Sequence, residues 1–389
     1  MDYEDKESPF QPGFPVSPDY FMGRKKIVDK ILRYVPKVYK GNPQHYFITG
    51  KKGMGKTSLA KYVQNLSNDK LLEVYISNKG NDSLEILTNQ IIEGILSKIP
   101  KNSALEKAKN IFGSIDNLEF NGAKVNFKPK SELSKDIIND FAYYLNKFYK
   151  DLPNNKGIFL VIDDINGLSE SENFVNWYKR LSDTIAVERF NLKLYVLFAG
   201  YPEKFDNLMN IEPSFSRIFH YEEIGSLDNT EVEKFFTETF KKVNIHCKNE
   251  ALNLFTLFSS GLPLVMQNIG DYAFWAAEDN EISENIAIES IINAGNEIGS
   301  KQLKTILKQI KNDLYEQILL KLGKYHFFSF NKTDFIDKLN DDEKSILDDF
   351  LEYMLDLGIL ISYDSENNEI YEFTNQLYCT YFMIKSLEN

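Results

Sequence analysis

Residues 46–58 read Tyr-Phe-Ile-Thr-Gly-Lys-Lys-Gly-Met-Gly-Lys-Thr-Ser. Gly50, Gly55, Lys56 and Thr57 occupy the fixed positions of the pattern G-x-x-x-x-G-K-[ST]. Tyr46 to Thr49 predict a buried strand, and Leu59 to Leu66 predict the helix that follows. This context gives the pattern its weight. Glycines let successive backbone N–H groups turn inward around a phosphate. The N-terminus of the helix adds the positive end of its dipole. Gly50, Lys52, Gly53, Met54, Gly55, Lys56, Thr57 and Ser58 are therefore the expected phosphate-cradling residues. Lys56 is expected to reach the β- and γ-phosphates, and the Thr57 hydroxyl to ligate Mg²⁺. The bland alternative is a Gly-rich turn with an incidental lysine, and the flanking strand and helix argue against it.

A second anchor lies downstream. Gly157-Ile-Phe-Leu-Val-Ile-Asp163-Asp164 is a continuous apolar run that ends in two acids. Such a run is the signature of a central parallel strand, and its carboxyl end is where ligands sit in open α/β sheets. Asp163 is expected to hold the metal through water, and Asp164 to orient or deprotonate an attacking water. A solvated pair of acids at a strand end is the competing reading. Leu72 to Ser77, Leu192 to Ala199 and Tyr221 to Ile224 complete the expected strands. Helical stretches lie between them, near 83–99, 104–112, 131–150 and 170–188. Strands alternating with helices predict a doubly wound parallel α/β domain over residues 21–225. Within it, Asn121-Gly122 between alternating segments predicts a hairpin over 118–127.

Composition sets the outer bounds. A chain of 389 residues suggests two or three domains, and 43% hydrophobic residues suffice for real cores. The two cysteines, Cys247 and Cys379, show neither metal-ligand spacing nor a disulfide framework, which fits a reducing cytoplasm. The start is acidic and lacks the apolar stretch of a secretory signal. No apolar run has the length of a membrane span. The net charge of −12 argues against a broadly basic nucleic-acid binder.

Outside the α/β segment, Pro9, Pro12, Pro15 and Pro18 predict an extended lead-in over residues 1–20. After Ser226 the strand signals stop. Leu227-Asp-Asn-Thr-Glu-Val-Glu reads as a capped helix start, and further helices fit 248–259, 263–278 and 283–298, a helical domain over 226–300. Residues 301–389 hold helices at 312–324, 332–340 and 342–357. A hairpin follows, Ile359 to Tyr363 and Glu369 to Phe373, and then a last helix at 376–387. Three helices and a hairpin predict a winged helix-turn-helix.

In this order, the phosphate loop, the strand ending in Asp163-Asp164, the helical lid and the winged helix resemble AAA+ and STAND-type P-loop ATPases. The likeness is to archaeal and bacterial predicted ATPases and their origin-recognition relatives. The resemblance implies an ATPase using ATP and Mg²⁺. It makes Gly23-Arg24 an N-terminal box whose backbone packs near adenine. It makes Gly261-Leu-Pro263 the lid motif that closes over the base. It places Arg217 where related ATPases keep an arginine able to reach a neighbouring subunit's γ-phosphate. Three departures stand out. Phe198-Ala199-Gly200, followed by Tyr201, occupy the place of a polar sensor. The lid offers no arginine near Pro263, and Asp164 replaces the commoner glutamate. Each implies slow hydrolysis, so a switch is expected rather than a fast motor.

Charge decides how the third domain reads. Residues 301–332 hold seven lysines and two acids, whereas residues 333–389 hold three lysines and fourteen acids. The helix that would enter a DNA groove begins Asp341-Asp342-Glu343 and continues with Asp348, Asp349, Glu352 and Asp356, a face that phosphates repel. Three readings stay open: docking on protein or a homo-oligomer, DNA contact through the lysine-rich segment, or DNA contact through Lys124, Lys128 and Lys130 of the hairpin. The functional readings are accordingly an ATP-driven switch, an ATP-dependent DNA loader or transposition-type regulator, and a non-hydrolysing scaffold.

Overall fold

A computed structural model describes residues 6–78, 83–112, 118–121, 124–127, 131–150, 152, 156–325, 328–365 and 368–388. The chain forms two compact units. One comprises residues 17–225, and the other joins residues 1–16 to 226–389.

The first unit is built on a sheet of five parallel strands: β1 (Gln44–Thr49), β2 (Leu71–Ser77), β3 (Gly157–Asp163), β4 (Leu194–Gly200) and β5 (Phe219–Glu223). Their order in the sheet is β2-β3-β4-β1-β5. Both faces are buried, which is why β3 and β4 read as unbroken apolar runs rather than alternating ones. Period-two geometry divides each strand between two cores. Tyr46, Ile48, Phe159, Val161, Tyr195 and Leu197 pack with the helices Lys25–Leu32 and Lys56–Leu66. Phe47, Ile158, Leu160, Ile162, Val196 and Phe198 pack on the other face, with the helices Leu84–Ser97, Phe141–Lys150 and Glu172–Val187. This is the doubly wound α/β arrangement expected from the sequence.

Several local details differ from the sequence reading. The helix expected over 131–150 is two helices, Ser131–Asn139 and Phe141–Lys150. Helix Pro202–Ile211 was not anticipated; Pro202 stands in its first turn, where its missing N–H costs nothing. The hairpin strands Leu118–Asn121 and Lys124–Phe127 pair antiparallel. Gly122 of the expected turn, together with Lys128 and Lys130, lies outside the described residues.

In the second unit, helix Asn229–Lys242 opens with a reciprocal capping box. The Glu231 N–H donates to Asp228 Oδ1 at 2.9 Å, and the Asp228 N–H to Glu231 Oε2 at 3.3 Å. Helices Asn249–Ser259, Pro263–Ala276 and Glu284–Ile298 follow. The N-terminal lead-in joins this unit. Phe10 is 3% exposed and lies among Phe235, Phe236 and Phe240, with ring centroids 5.8, 6.4 and 4.9 Å away. Gly270 makes room for it, since a Cβ there would stand 2.2 Å from the Phe10 ring. The Gln11 N–H donates to Gln267 Oε1 at 2.7 Å. A Phe10→Ala change leaves a cavity inside this aromatic cluster. It is expected to cost the second unit about 3–5 kcal/mol, read as a shift of its denaturant midpoint. A midpoint moved by less than a fifth of that amount would show that the segment adds little.

The last part of the second unit holds helices Asp313–Lys324, Lys332–Ile336, Asp341–Ser345 and Leu347–Asp356. A three-stranded antiparallel sheet, in spatial order Ser329–Asn331, Asn368–Phe373 and Leu360–Ser365, accompanies them, and helix Gln376–Glu388 follows the last strand. The sequence reading made 342–357 one acidic helix with Glu343 on its outer face. The structure breaks it at Ile346 and turns Glu343 inward. Glu343 is fully buried; its Oε2 accepts from Lys321 Nζ at 2.5 Å and from the Asn340 N–H at 2.8 Å. Asp341, Asp342, Asp348, Asp349, Glu352 and Asp356 do face solvent. Of the four histidines, too scattered in sequence to suggest a metal site, His326 lies outside the described residues.

Candidate nucleotide-binding site

The phosphate loop connects β1 to helix Lys56–Leu66. Gly50, Gly53 and Gly55 all have positive φ (159°, 83° and 78°). Position 50 has a second reason to be glycine: a Cβ there would meet the Ile224 carbonyl oxygen at 2.7 Å. Met54 anchors the loop by packing against the apolar core of β1 and its helix. Lys51 and Lys52 are exposed, and Ser58 is half-buried in the first turn of the helix. Lys56 Nζ donates to the carbonyls of Gly50 (2.6 Å) and Lys51 (3.0 Å), which holds the ammonium over the loop. Burial lowers its pKa. Asp163, Asp164 and Glu203 work against that, and the Arg24 charge adds to it.

Register brings the acids to the loop. Thr49 pairs with Gly200 and Asp163 with Ala199, so the carboxyl ends of β1 and β3 flank β4, about 10 Å apart. Helix Lys56–Leu66 bridges that gap with its first turn. Thr57 Oγ1 donates to Asp163 Oδ2 at 2.6 Å. The Tyr75 hydroxyl donates to the same oxygen through a short bond, and the Asp164 N–H donates to Asp163 Oδ1 at 3.0 Å. Burial, and then the Asp163 charge, push the Tyr75 pKa far up, so Tyr75 stays a donor. Asp164 has φ of 59°, a left-handed conformation that aspartate tolerates better than most residues. Its carboxylate accepts a short bond from Asn166 Nδ2, and its carbonyl accepts from Asn78 Nδ2 at 3.4 Å.

Sequence reasoning named the loop and both acids. It passed over Tyr75, Asn78 and Asn166, whose roles depend on side-chain direction across neighbouring elements. Tyr201 was noted only as following the sensor place. Its ring centroid lies 4.8 Å from Lys56 Nζ, and burial together with Asp164 and Glu203 raises its hydroxyl pKa. Its position directly after a buried strand was the available signal.

Four expected residues remain, Gly23, Arg24, Arg217 and Pro263. Gly23 and Arg24 both have positive φ at the start of helix Lys25–Leu32. The Arg24 side chain is buried, and its guanidinium donates to the Gly225 carbonyl at 2.7 Å. Arg217 sits on the short helix Phe215–Ile218 before β5. Because Phe219 pairs with His45 and Glu223 with Thr49, Arg217 stands at the opposite end of the sheet from its own phosphate loop. Pro263 opens its helix in the second unit. There Gly261 (φ 64°) packs so closely on Leu227 that a Cβ would meet the Leu227 carbonyl oxygen at 2.1 Å.

Among the described residues, no cluster of three His, Cys, Asp or Glu side chains could hold a metal by itself. The hydroxyl of Thr57 and the carboxylate of Asp163 are hard oxygen donors. They suit a magnesium ion that takes its other ligands from phosphate and water. Positive-φ glycines, an ammonium over the loop and a helix N-terminus suit the phosphates themselves.

This fold and site are those of a P-loop nucleotide-binding domain, carried by the first unit. Residues 20–179 match the family model of the AAA ATPase domain, and the first unit of the chain carries that domain. Solved structures share the fold at low identity. The ORC2 protein of Aeropyrum pernix, in its ADPNP-ADP complexes, is 12% identical with a TM-score of 0.60, covering 99% of this chain and 96% of its own. A Walker-type ATPase of Pyrococcus abyssi is 13% identical with a TM-score of 0.54, covering 98% and 99%. Cdc6p from Pyrobaculum aerophilum is 14% identical with a TM-score of 0.50, covering 97% and 98%. No curated protein matches the chain in sequence. No helix among the described residues is long and apolar enough to cross a membrane.

Proposed function

We propose that the chain is an ATP-binding, slowly hydrolysing switch whose nucleotide state repositions a C-terminal winged-helix domain, in concert with further copies of itself or a protein partner. The observation that carries this reading is the convergence of Lys56, Thr57 and Asp163 at one loop, with Asp164 held in a left-handed conformation beside them. Magnesium, when bound, would neutralise phosphate charge. The chain's own residues do the rest. Gly50 to Gly55 and Lys56 cradle the phosphates, and Thr57 and Asp163 offer oxygens to the cation. Asp164, oriented by Asn166, is the group that accepts the proton of an attacking water or aligns it. The apolar end of β4 and Tyr201 in place of a compact polar sensor support a low rate. The exposed acids of 341–356 support docking on protein rather than on phosphates.

Arg217 faces solvent at the far end of the sheet, so its catalytic use requires a second copy. The test is Mg²⁺-dependent ATP turnover per chain across protein concentrations. Turnover is expected to rise with concentration, and Arg217→Ala to lower it by about a hundredfold or more. A rate per chain that neither depends on concentration nor responds to Arg217→Ala would remove the trans role. The same assay weighs a second reading, an ATP-dependent DNA loader. The exposed Lys301, Lys304, Lys308 and Lys311 favour it. That reading predicts stimulation by DNA with a steep salt dependence.

A further inference from the structure

Two exposed rows of opposite charge lie side by side in the second unit. Helix Leu347–Asp356 buries Leu347, Phe350, Leu351 and Met354. Its outer face carries Asp349, Glu352 and Asp356, whose spacing of i, i+3, i+7 sets them in one row. The short helix Lys304–Leu307 and the turns that extend it carry Lys304, Lys308 and Lys311, spaced i, i+4, i+7 and all exposed. The Lys308 N–H donates to the Lys304 carbonyl at 3.3 Å and the Ile310 N–H to that of Leu307 at 3.0 Å, so the helical winding continues past Leu307. Both rows run from i to i+7, about 10 Å of helical rise.

Packing holds the rows together. The hydroxyl of Tyr353, next to Glu352, donates to the carbonyl of Gln309, next to Lys308, at 3.1 Å. The Tyr315 ring lies 5.6 Å from that of Phe350 and 5.7 Å from that of Tyr353. Burial and then the Asp349 charge raise the Tyr315 pKa, which places the acidic row beside this junction. Yet among the described residues none of the six charged side chains forms an ion pair. At the margins Lys301 is taken by Glu297 and Asp348 by Lys332. The six point outward, so neither row satisfies the other within one chain.

A surface with a positive and a negative row of equal length is its own complement. Half a turn about the line between the rows sets the lysines of a second copy over the acids of the first, and the reverse. Any other partner meets half of this surface badly. A basic protein suits the acids and is repelled by the lysines, and a nucleic acid suits the lysines and is repelled by the acids. We propose that the two rows form a two-fold interface between copies of this chain, with Lys304, Lys308 and Lys311 of each copy paired to Asp349, Glu352 and Asp356 of the other. The inference rests on the reading that the acids dock on protein, and it names that protein. It makes no use of the phosphate loop or of Arg217.

Sedimentation equilibrium of the full chain without nucleotide tests it. Exposed ion pairs are individually weak, so a reversible dimer is expected at low salt, its dissociation constant rising about tenfold or more between about 50 and 500 mM salt. A Lys304→Glu, Lys308→Glu, Lys311→Glu triple carries two acidic rows, and an Asp349→Lys, Glu352→Lys, Asp356→Lys triple carries two basic ones. Each alone is expected to be monomeric, and an equimolar mixture to restore the dimer. Only exposed residues change, and melting temperatures equal to that of the parent check that both triples fold. A parent chain that stays monomeric at about 100 µM in low salt overturns the proposal. So does a dimer that either triple leaves intact, or folded triples that fail to pair on mixing. Loss of DNA binding in the lysine triple, beside a monomeric parent, gives the lysines to DNA and overturns it too. Calorimetric titration with ATP should give the same affinity for both triples and the parent. A parent that binds no ATP would end the nucleotide reading and leave this interface standing, so either can fail alone.

Discussion

Replacing Lys56 with alanine is expected to weaken ATP binding by about two to three orders of magnitude. The ammonium is half-buried over the loop, and burial lowers its pKa even with three acids nearby. Its hydrogen-bond acceptors are two neutral carbonyls, those of Gly50 and Lys51. A phosphate oxygen therefore meets a cation that is already positioned and partly stripped of water. Charge-assisted hydrogen bonds of this kind contribute about 1.5–3 kcal/mol each. Losing about two of them gives the stated change in affinity. Lys56→Arg should not restore it, because a guanidinium fork is too wide for the place between two loop carbonyls. Calorimetric titration with a non-hydrolysed ATP analogue measures the effect. An alanine variant that binds within threefold of the parent would mean that the loop is not the nucleotide site.

Asp164→Asn is expected to separate binding from turnover. Asparagine tolerates the left-handed backbone at φ 59° as well as aspartate does. Its amide oxygen can still accept from Asn166 Nδ2, so the exchange removes a charge and a proton acceptor but little structure. Turnover should fall by about 10²–10⁴-fold, the usual contribution of a positioned general base, while affinity for ATP stays within about threefold. Asp163→Asn should behave differently. It disturbs the acceptor shared by Thr57, Tyr75 and the Asp164 N–H, so metal-dependent affinity falls together with rate. Unchanged single-turnover rates in Asp164→Asn would instead favour a nucleotide-dependent scaffold.

The features legible in the sequence are those whose physics is local. The phosphate loop is one contiguous run. β3 and β4 are buried on both faces, so their apolar composition declares them without any knowledge of neighbours. Asp163 could be placed because a strand end and a charge coincide. What escaped depends on where side chains point once elements are paired. Tyr75 meets Asp163 because β2 lies beside β3 in a register that sets Ser77 opposite Asp163. Tyr201 meets Lys56 because β4 lies beside β1. Glu343 looked like one more surface acid in a row of acids. Only the break at Ile346 and the arrival of Lys321 turn it inward. Phe10 sits amid prolines in a segment that reads as an extended lead-in, and its pocket is made by helices far along the chain.

That last separation has a consequence for how the molecule is made. Gln11 and Gln267 are 256 residues apart in sequence, yet they belong to the same unit. On the ribosome Phe10 emerges long before Gly270, and residues 17–225 of the first unit are complete in between. An aromatic anchor therefore waits in water while an entire α/β unit folds behind it. Its docking is a late, long-range closure, slow by the logic of loop entropy. During that wait the Phe235–Phe240 cluster of another chain offers the segment the same ring contacts, so refolding at rising protein concentration is expected to yield a growing share of segment-exchanged dimers.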